Sequence, residues 1–316
     1  MKRRAGRAIA CFLACVATLG MALALAQVAV AEPGVARERT LVLGRLSDDP
    51  KRHYEALQPL LEYVVARMGD VGIVEGRILM ARDAAQMVGF LRHRRVDWVT
   101  DTAAVAAEFR KRAGAEIVLA ADRDGEVSYH SVVFARRDSG IGTLADLKGR
   151  SIAFQNPVST SSFMLPAARM LRSGLDLEKL ISPYDRPDAR HVGYSFADTG
   201  NNIAMWVHKR IIDAGALSNL EWEALEHMPG GFRNDLAIID QTASAPRGLE
   251  LVAAGLDPRI KARLLQVLIG AANDPQAQDA LHSYFGVTRF VPLNETLQRE
   301  LDRIQADVEL VRRELE

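Results

Sequence analysis

The sequence predicts an α/β protein of two lobes, each built on a mostly parallel sheet with flanking helices. Short apolar runs typical of strands alternate with amphipathic segments typical of helices from residue 40 to residue 120, and the alternation restarts at residue 151. Strands that alternate with helices favour parallel sheets. Two successive units of this kind predict two lobes. A third apolar run, at residues 236–242, is expected to return the chain to the first lobe.

The elements of the first unit follow from the spacing of its apolar residues. Leu57, Leu61 and Val64 recur at the spacing of one helix face. The predicted strands of this unit are residues 40–44, 77–80, 96–99 and 116–120, and its predicted helices are residues 54–68, 84–94 and 102–113. Each of the first three strands is therefore followed by a helix, as parallel pairing requires.

The second unit opens with a long β-rich strand at residues 129–136. The predicted strands that follow are residues 151–154, 191–196, 211–216, 236–242 and 249–252, with helices after Pro157 and from Asn201 to His208. Residues 258–316 are predicted to be helical. The last helix, from about residue 295, carries the apolar stripe Leu297, Leu301, Ile304, Val308 and Val311. That stripe is expected to pack against the first lobe.

The N-terminal segment has the layout of a secretory signal peptide. Residues 1–31 contain a basic start, an uncharged apolar core and a small-residue end, with cleavage predicted after Ala31 or Ala26. A membrane anchor is the alternative, because the apolar run is long enough to span a bilayer. We expect cleavage and a periplasmic protein, since the alanine-rich end suits a peptidase.

Both cysteines, Cys11 and Cys15, lie inside the predicted signal peptide. Lipidation at Cys15 is disfavoured because the apolar run continues well beyond it. A chain that begins after the signal peptide has no thiol, which excludes disulfides, thiol nucleophiles and cysteine-ligated metals. The sequence predicts no cofactor and no metal site.

The charge balance argues against a nucleic-acid binder. The whole chain has 40 Lys and Arg against 40 Asp and Glu, and loss of the four basic residues in 1–31 leaves 36 against 40. A net charge of about minus four lacks the basic footprint that nucleic-acid binding requires. The remaining length is sufficient for two compact domains.

A row of hydroxyl residues opens a predicted helix in the second unit. In the stretch NPVSTSSFMLP, residues 156–166, Ser159 is placed as an N-cap, and Thr160 and Ser161 follow in the first turn. That turn presents unpaired backbone N–H groups and a partial positive charge. Hydroxyl donors beside them suit a tetrahedral oxyanion. Plain capping explains one of the hydroxyl groups, so helix capping and anion binding both stay open as roles for the row. Pro166 predicts a kink in the helix or a helix in two pieces.

Residues 129–166 resemble the periplasmic solute-binding proteins of phosphate, phosphite and phosphonate ABC transporters. The resemblance rests on a strand, the phrase LADLKG at residues 144–149, and a helix that opens on Ser-Thr-Ser at 159–161. Weaker stretches at 94–109, 205–219 and 240–258 align in the same order. The resemblance implies a type II periplasmic-binding fold whose lobes, joined by two crossing strands, are 38–134 with 242–316, and 135–241.

The resemblance also implies a ligand site between the lobes. The second lobe would hold phosphoryl oxygens through the hydroxyl row, and the first lobe would face it at the end of the strand that starts at Val96. Two residues at the start of the first crossing strand are expected to point into the cleft. The predicted ligand-binding residues are Ser159, Thr160, Ser161, Asp101, Thr102, Tyr129, His130, Asn202, Asp213 and Ser218, the last followed by Asn219.

Several departures from the family pattern make the scaffold a firmer expectation than the ligand. No tyrosine follows the strand at Asp97, and Gly200 stands where many members carry a histidine. Among the basic residues, Arg45 is assigned to a surface salt bridge with Asp48 or Asp49 in preference to an anionic ligand. Arg247, beside Pro246, is at least as well placed for a hinge as for a ligand contact.

The predicted function is periplasmic capture of a small phosphorus oxyanion by lobe closure, with delivery to a membrane permease by a monomeric protein. Two alternatives stay open: a sensory or adaptor protein of the same fold that signals to a membrane kinase, and a binder of an unrelated small organic anion. An enzyme is not predicted, because the sequence has neither a G-x-S-x-G elbow nor an H-E-x-x-H motif. A serine hydrolase in the hydroxyl row would need a histidine partner supplied by the fold.

Overall fold

The computed structural model describes residues 39–224 and 230–315. The predicted signal peptide lies outside these residues. Within them, no helix combines the length and the apolar character needed to cross a membrane.

The secondary structure alternates between strands and helices along most of the described chain. The strands are β1 (Arg39–Leu46), β2 (Ile73–Ala81), β3 (Trp98–Asp101), β4 (Glu116–Asp122), β5 (Ser128–Tyr129), β6 (Ser131–Arg136), β7 (Ser151–Phe154), β8 (Asp176–Lys179), β9 (His191–Phe196), β10 (Ala214–Ser218), β11 (Leu236–Gln241), β12 (Ala245–Pro246), β13 (Leu249–Val252) and β14 (Arg289–Pro292). The helices are α1 (Pro50–Val65), α2 (Ala84–Arg92), α3 (Ala103–Ala113), α4 (Leu165–Arg172), α5 (Gly200–His208), α6 (Asn219–Glu223), α7 (Gly230–Asp235), α8 (Pro258–Gly270), α9 (Gln278–Ser283) and α10 (Glu295–Leu315).

The first lobe contains a six-stranded sheet in the order β14-β4-β13-β3-β1-β2. Its strands β1, β2 and β3 are parallel, as the βαβ connections require. Strand β13 enters antiparallel between β3 and β4, because the chain comes back from the other lobe at that point. The carboxyl ends of β1, β3 and β4 therefore meet the amino end of β13 at one edge of the sheet.

The second lobe contains a six-stranded sheet in the order β11-β6-β10-β7-β9-β8. Strands β7, β8, β9 and β10 are parallel to one another, whereas β6 pairs antiparallel with β10 and β11. The predicted α/β class of two sheets with flanking helices is confirmed, but both sheets are mixed. Strands β6, β11 and β13 lie next to the points where the chain passes from one lobe to the other, whereas β14, which pairs antiparallel with β4, does not.

Two short strands carry the chain between the lobes. Strands β5 and β12 pair antiparallel, with Tyr129 opposite Ala245 and Ser128 opposite Pro246. The long strand predicted at residues 129–136 is therefore two strands, and β6 belongs wholly to the second sheet. The lobe boundary predicted after residue 134 falls inside β6, whereas the boundary predicted after residue 241 falls at the end of β11.

The C-terminal helix α10 contacts both lobes. Its predicted apolar stripe is buried, and it packs on α3 of the first lobe and on α4 of the second. Ion pairs reinforce both contacts, since Lys111 pairs with Glu309 at 2.9 Å and Arg172 of α4 pairs with the buried Asp307. The predicted packing of this helix against the first lobe is observed, and its contact with α4 of the second lobe is additional.

Candidate functional site

A cavity of about 890 Å³ lies between the two sheets. Its first-lobe wall comes from the sheet edge where β1, β3 and β4 end, together with Tyr129 and Arg247 beside the crossing strands. Its second-lobe wall comes from the loop after β7, the hydroxyl row, Asp198 and the end of β10. Clefts at the carboxyl ends of strands are the usual ligand sites of α/β proteins.

The hydroxyl row forms an interrupted helix start. Ser159 is the N-cap and accepts a hydrogen bond from the Ser162 N–H at 3.1 Å. Residues Thr160–Met164 form a π-helical turn, and α4 begins only at Leu165. Because Pro166 has no N–H to donate, the Ser162 carbonyl accepts instead from the Gln155 N–H at 3.4 Å. The predicted helix in two pieces is therefore observed.

Thr160 joins the hydroxyl row to the other lobe. Its hydroxyl oxygen accepts a hydrogen bond from the Ala104 N–H, in the first turn of α3, at 2.9 Å. The N-cap of α3 is Thr102, whose side chain makes no capping hydrogen bond. Two helix starts, one from each lobe, therefore converge on the cavity, and both favour an anion.

Two more predicted residues, Tyr129 and Asp101, line the cavity beside the hydroxyl row. Burial raises the pKa of Tyr129, and its side-chain hydrogen bonds with Ser161 and Thr160 oppose that rise. The Asp101 carboxylate accepts from the Thr102 N–H at 2.8 Å and from the Leu46 N–H at 3.3 Å. Tyr129 thus supports the hydroxyl row, and Asp101 holds the end of β1 to the start of α3.

The structure separates three predicted site residues from the cavity lining. Asp213 precedes β10 at the end away from the cleft, where its carboxylate accepts from the Ser151 N–H and hydroxyl, each at 2.9 Å. The Asn202 amide donates to the Ala197 carbonyl at 2.8 Å. His130 is held through its backbone by Asn219. Ser218 does line the cavity, and its hydroxyl donates to Glu221 at 2.8 Å in a capping box.

Three arginines of the first lobe form the basic wall of the cavity. Arg45 lies near the end of β1, Arg123 follows β4, and Arg247 precedes β13. The Arg45 Nη1 donates to the Thr100 carbonyl at 3.1 Å. Within residues 39–224 and 230–315, no carboxylate forms an ion pair with any of the three, so the predicted salt bridge of Arg45 to Asp48 or Asp49 is wrong.

The charged form of Arg123 is electrostatically disfavoured in the empty cavity. Burial, followed by the charges of Arg247 and Arg45, lowers the pKa of Arg123 to about 10. The Nε atoms of Arg45 and Arg123 are buried and lack hydrogen-bond partners among the described residues. His53, in the same wall, has a lowered pKa because of burial and the nearby Arg45. An anion in the cavity would supply the charge and the acceptors that these groups lack.

The sequence analysis overlooked Arg123 and His53, favoured a salt bridge for Arg45, and left Arg247 open between a hinge and a ligand contact. The three arginines lie far apart along the chain, and only the sheet order brings them together. Their positions in the sequence could have indicated a shared site, because each lies within two residues of a strand end, at the same edge of the first sheet. As for metals, no cluster of three or more histidine, cysteine or acidic side chains in the described residues is arranged to hold an ion.

The protein has two lobes, each a mixed sheet flanked by helices, and two short strands connect them. The cleft between the lobes is suited to an anion. These features define a two-lobed periplasmic binding protein. The chain matches a family described as "ABC transporter, phosphonate, periplasmic substrate-binding protein" over residues 45–297. It belongs to this family of periplasmic phosphonate-binding proteins of ABC transporters, whose members capture solutes rather than transform them and work with a membrane permease.

Comparison with solved structures agrees with this membership. The XAC2383 protein from Xanthomonas citri, bound to chloride ion, is 45% identical, covers 87% of this chain and 99% of its own, and has a TM-score of 0.83. A second structure of XAC2383, bound to ATP, is 44% identical, with coverage of 88% and 99% and a TM-score of 0.83. PhnD1 from Prochlorococcus marinus, in complex with methylphosphonate, shares the fold at 15% identity, with coverage of 85% and 98% and a TM-score of 0.61.

Proposed function

We propose that this protein captures an organic phosphate with more than one phosphoryl group, of the nucleoside di- or triphosphate class, for delivery to its permease. The observation that carries the proposal is the basic wall, in which Arg45, Arg123 and Arg247 face the cavity without carboxylate partners among the described residues. Buried charges of one sign are costly unless they are paired. A ligand with several negative charges would pair them.

The two walls supply complementary binding groups for such a ligand. The hydroxyl row and the two converging helix starts would hold one phosphoryl group, as the family resemblance implies for Ser159, Thr160 and Ser161. Guanidinium groups bind phosphate oxygens in bidentate fashion. The arginines would therefore hold the next phosphoryl groups of the ligand. A simple phosphonate would satisfy the first set and leave the second unpaired.

The size of the cavity agrees with a ligand larger than a simple oxyanion. Its volume of about 890 Å³ lies near the upper end of the range for small-molecule sites. Apolar side chains of Val158, Leu220 and Ala224 line the second-lobe wall, away from the basic wall. The relative that is 44% identical to this chain was solved with ATP bound, which supports a nucleotide-sized ligand.

The proposal is tested by isothermal titration of the mature protein, residues 32–316, with ATP, inorganic pyrophosphate, inorganic phosphate and methylphosphonate. We expect ATP and pyrophosphate to bind at least tenfold more tightly than the two single-phosphorus compounds, because only they reach both walls. Binding should also weaken with added salt, as guanidinium–phosphate contacts are screened. A preference for methylphosphonate would refute the proposed ligand class and leave the family membership untouched.

The hydroxyl row should be required for every phosphorus ligand. The triple variant Ser159→Ala/Thr160→Val/Ser161→Ala is expected to lose at least tenfold in affinity for both pyrophosphate and phosphate, since it removes three hydroxyl groups from the second-lobe wall. Ser173→Ala, at the far end of α4, removes an exposed hydroxyl that bonds only to the Arg169 carbonyl and is the matched control. Calorimetry checks both variants, and unchanged affinity in the triple variant would exclude the row from the site.

A further inference from the structure

An aromatic ring lies beneath the basic wall. The guanidinium carbon of Arg45 is 4.4 Å from the centroid of the Phe285 ring, and that of Arg123 is 5.5 Å from it. The His53 ring meets the same phenyl ring edge-on, with centroids 5.8 Å apart. Three of the basic cavity side chains therefore converge on Phe285, which itself does not line the cavity.

The backbone at Phe285 adopts a conformation that bulky residues rarely use. Its φ is 56°, in the left-handed region, and that of the next residue, Gly286, is 71°. A large side chain there costs free energy and persists where its surroundings hold it. Tyr284, which is fully buried, packs against Phe285 with ring centroids 5.5 Å apart. The chain thus pays a local conformational cost at the residue whose ring supports the arginines.

An aromatic ring can position a guanidinium group without consuming its charge. A carboxylate in the same place would accept the N–H donors and neutralise the cation, so less of both would be available to a ligand. A ring contacts the flat face of the guanidinium and leaves its N–H edge free. The ring of Phe285 therefore provides support beneath Arg45 and Arg123 that keeps their donors available on the cavity side.

We propose that Phe285 is a positioning residue that makes the cleft selective for ligands with several phosphoryl groups. The inference rests on the proposed function, because it assigns the arginines to the phosphate chain of the ligand. Removal of the ring would let both side chains adopt other rotamers, so affinity for a polyphosphate should fall. Affinity for a single phosphate on the hydroxyl row should change little.

The test compares Phe285→Leu with Phe285→Tyr by calorimetry with ATP, pyrophosphate and inorganic phosphate. Because two cation–π contacts are lost, Phe285→Leu should weaken the binding of ATP and pyrophosphate about tenfold and leave the affinity for phosphate within about twofold of the parent. Phe285→Tyr keeps the ring and should bind as the parent does. Phe290→Leu is the matched control, because the Phe290 ring packs on the same Tyr284 and, among the described residues, no arginine makes a cation–π contact with it. Equal losses in Phe285→Leu and Phe290→Leu would refute a specific role for Phe285.

A ligand-free measurement separates this inference from the proposed function. Aromatic rings shield protons held over their faces. In ¹H–¹⁵N spectra, the Nε–H proton resonances of Arg45 and Arg123 should therefore lie upfield of ordinary arginine values in the parent and in Phe285→Tyr. Phe285→Leu should return them to ordinary positions. If these shifts behave as expected but the parent binds no phosphate compound, the proposed function fails and the ring support stands. If the resonances do not respond to Phe285→Leu, the inference is wrong whatever the ligand.

Discussion

Replacement of Arg123 by methionine is expected to weaken ATP binding at least a hundredfold and, at the same time, to raise the melting temperature of the empty protein. The loss follows because a half-buried guanidinium that pairs with a phosphate in the complex contributes several kcal/mol. The gain follows because burial, together with the charges of Arg247 and Arg45, lowers the pKa of Arg123 to about 10 in the folded protein. That change corresponds to as much as about 3 kcal/mol of unfavourable free energy for the charged form.

Opposite effects on binding and stability distinguish a ligand-binding arginine from a structural one. Loss of a structural arginine would lower both the melting temperature and the affinity. Arg77→Met is the matched control, because Arg77 lies exposed on β2 and pairs with Glu75 at 2.9 Å. Differential scanning calorimetry of the empty proteins and titration with ATP give the two readouts. A lowered melting temperature in Arg123→Met would contradict the account of an unfavourable basic wall.

Glu250 is expected to make the stability of the protein depend on pH around neutrality. This carboxyl group is fully buried on β13, where it accepts hydrogen bonds from Trp98 at 2.6 Å, Thr100 at 2.9 Å and Tyr284 at 3.0 Å. Burial raises its pKa from 4.5 to about 7. Between these two values the folded state keeps a proton that the unfolded state releases. The free energy of unfolding should therefore fall by about 3 kcal/mol as the pH rises from about 4.5 to 7.

The variant Glu250→Gln should remove this contribution. The free energy of unfolding of Glu250→Gln minus that of the parent is expected to be larger at pH 8 than at pH 5. The reason is that the parent loses stability as Glu250 ionises, whereas the amide does not ionise. Urea denaturation at both values measures the difference, and Glu55→Gln on the exposed side of α1 is the control. A gap between parent and Glu250→Gln that is the same at both pH values would show that Glu250 titrates as an ordinary carboxyl group.

The strands that sequence reasoning found most accurately are the apolar ones. The predicted bounds of β7, β9 and β13 match the structure, because these strands are buried and are bounded by polar or turn residues. Strands β8 and β14 were not predicted. Three of the four residues of β8, Asp176–Lys179, are charged and the strand lies at a sheet edge, while β14, Arg289–Pro292, is a short edge strand between helices. Both strands are defined by pairing with a neighbour rather than by their own composition.

The candidate site was predicted where it is local in sequence and missed where it depends on the sheet order. The hydroxyl row forms one continuous stretch, so its place at a helix start was evident. Asp213 was included because of the family resemblance, but it directly precedes β10, which begins at Ala214. It therefore lies at the amino end of that strand, away from the cavity, where its carboxylate accepts from Ser151. The basic wall depends on β13 lying between β3 and β4, an order that no local pattern specifies.

Contact of α10 with both lobes gives the protein a use as an optical sensor. Because α10 packs on α3 and on α4, any rotation of the lobes changes the surroundings of at least one of its faces. Both natural cysteines lie in the predicted signal peptide, so a cysteine introduced at the exposed Glu314 would be the single thiol of a protein produced from residue 32 onward. If ligand binding closes the lobes, as the proposed function implies, the emission of a fluorophore attached at this position should change when the cleft is occupied.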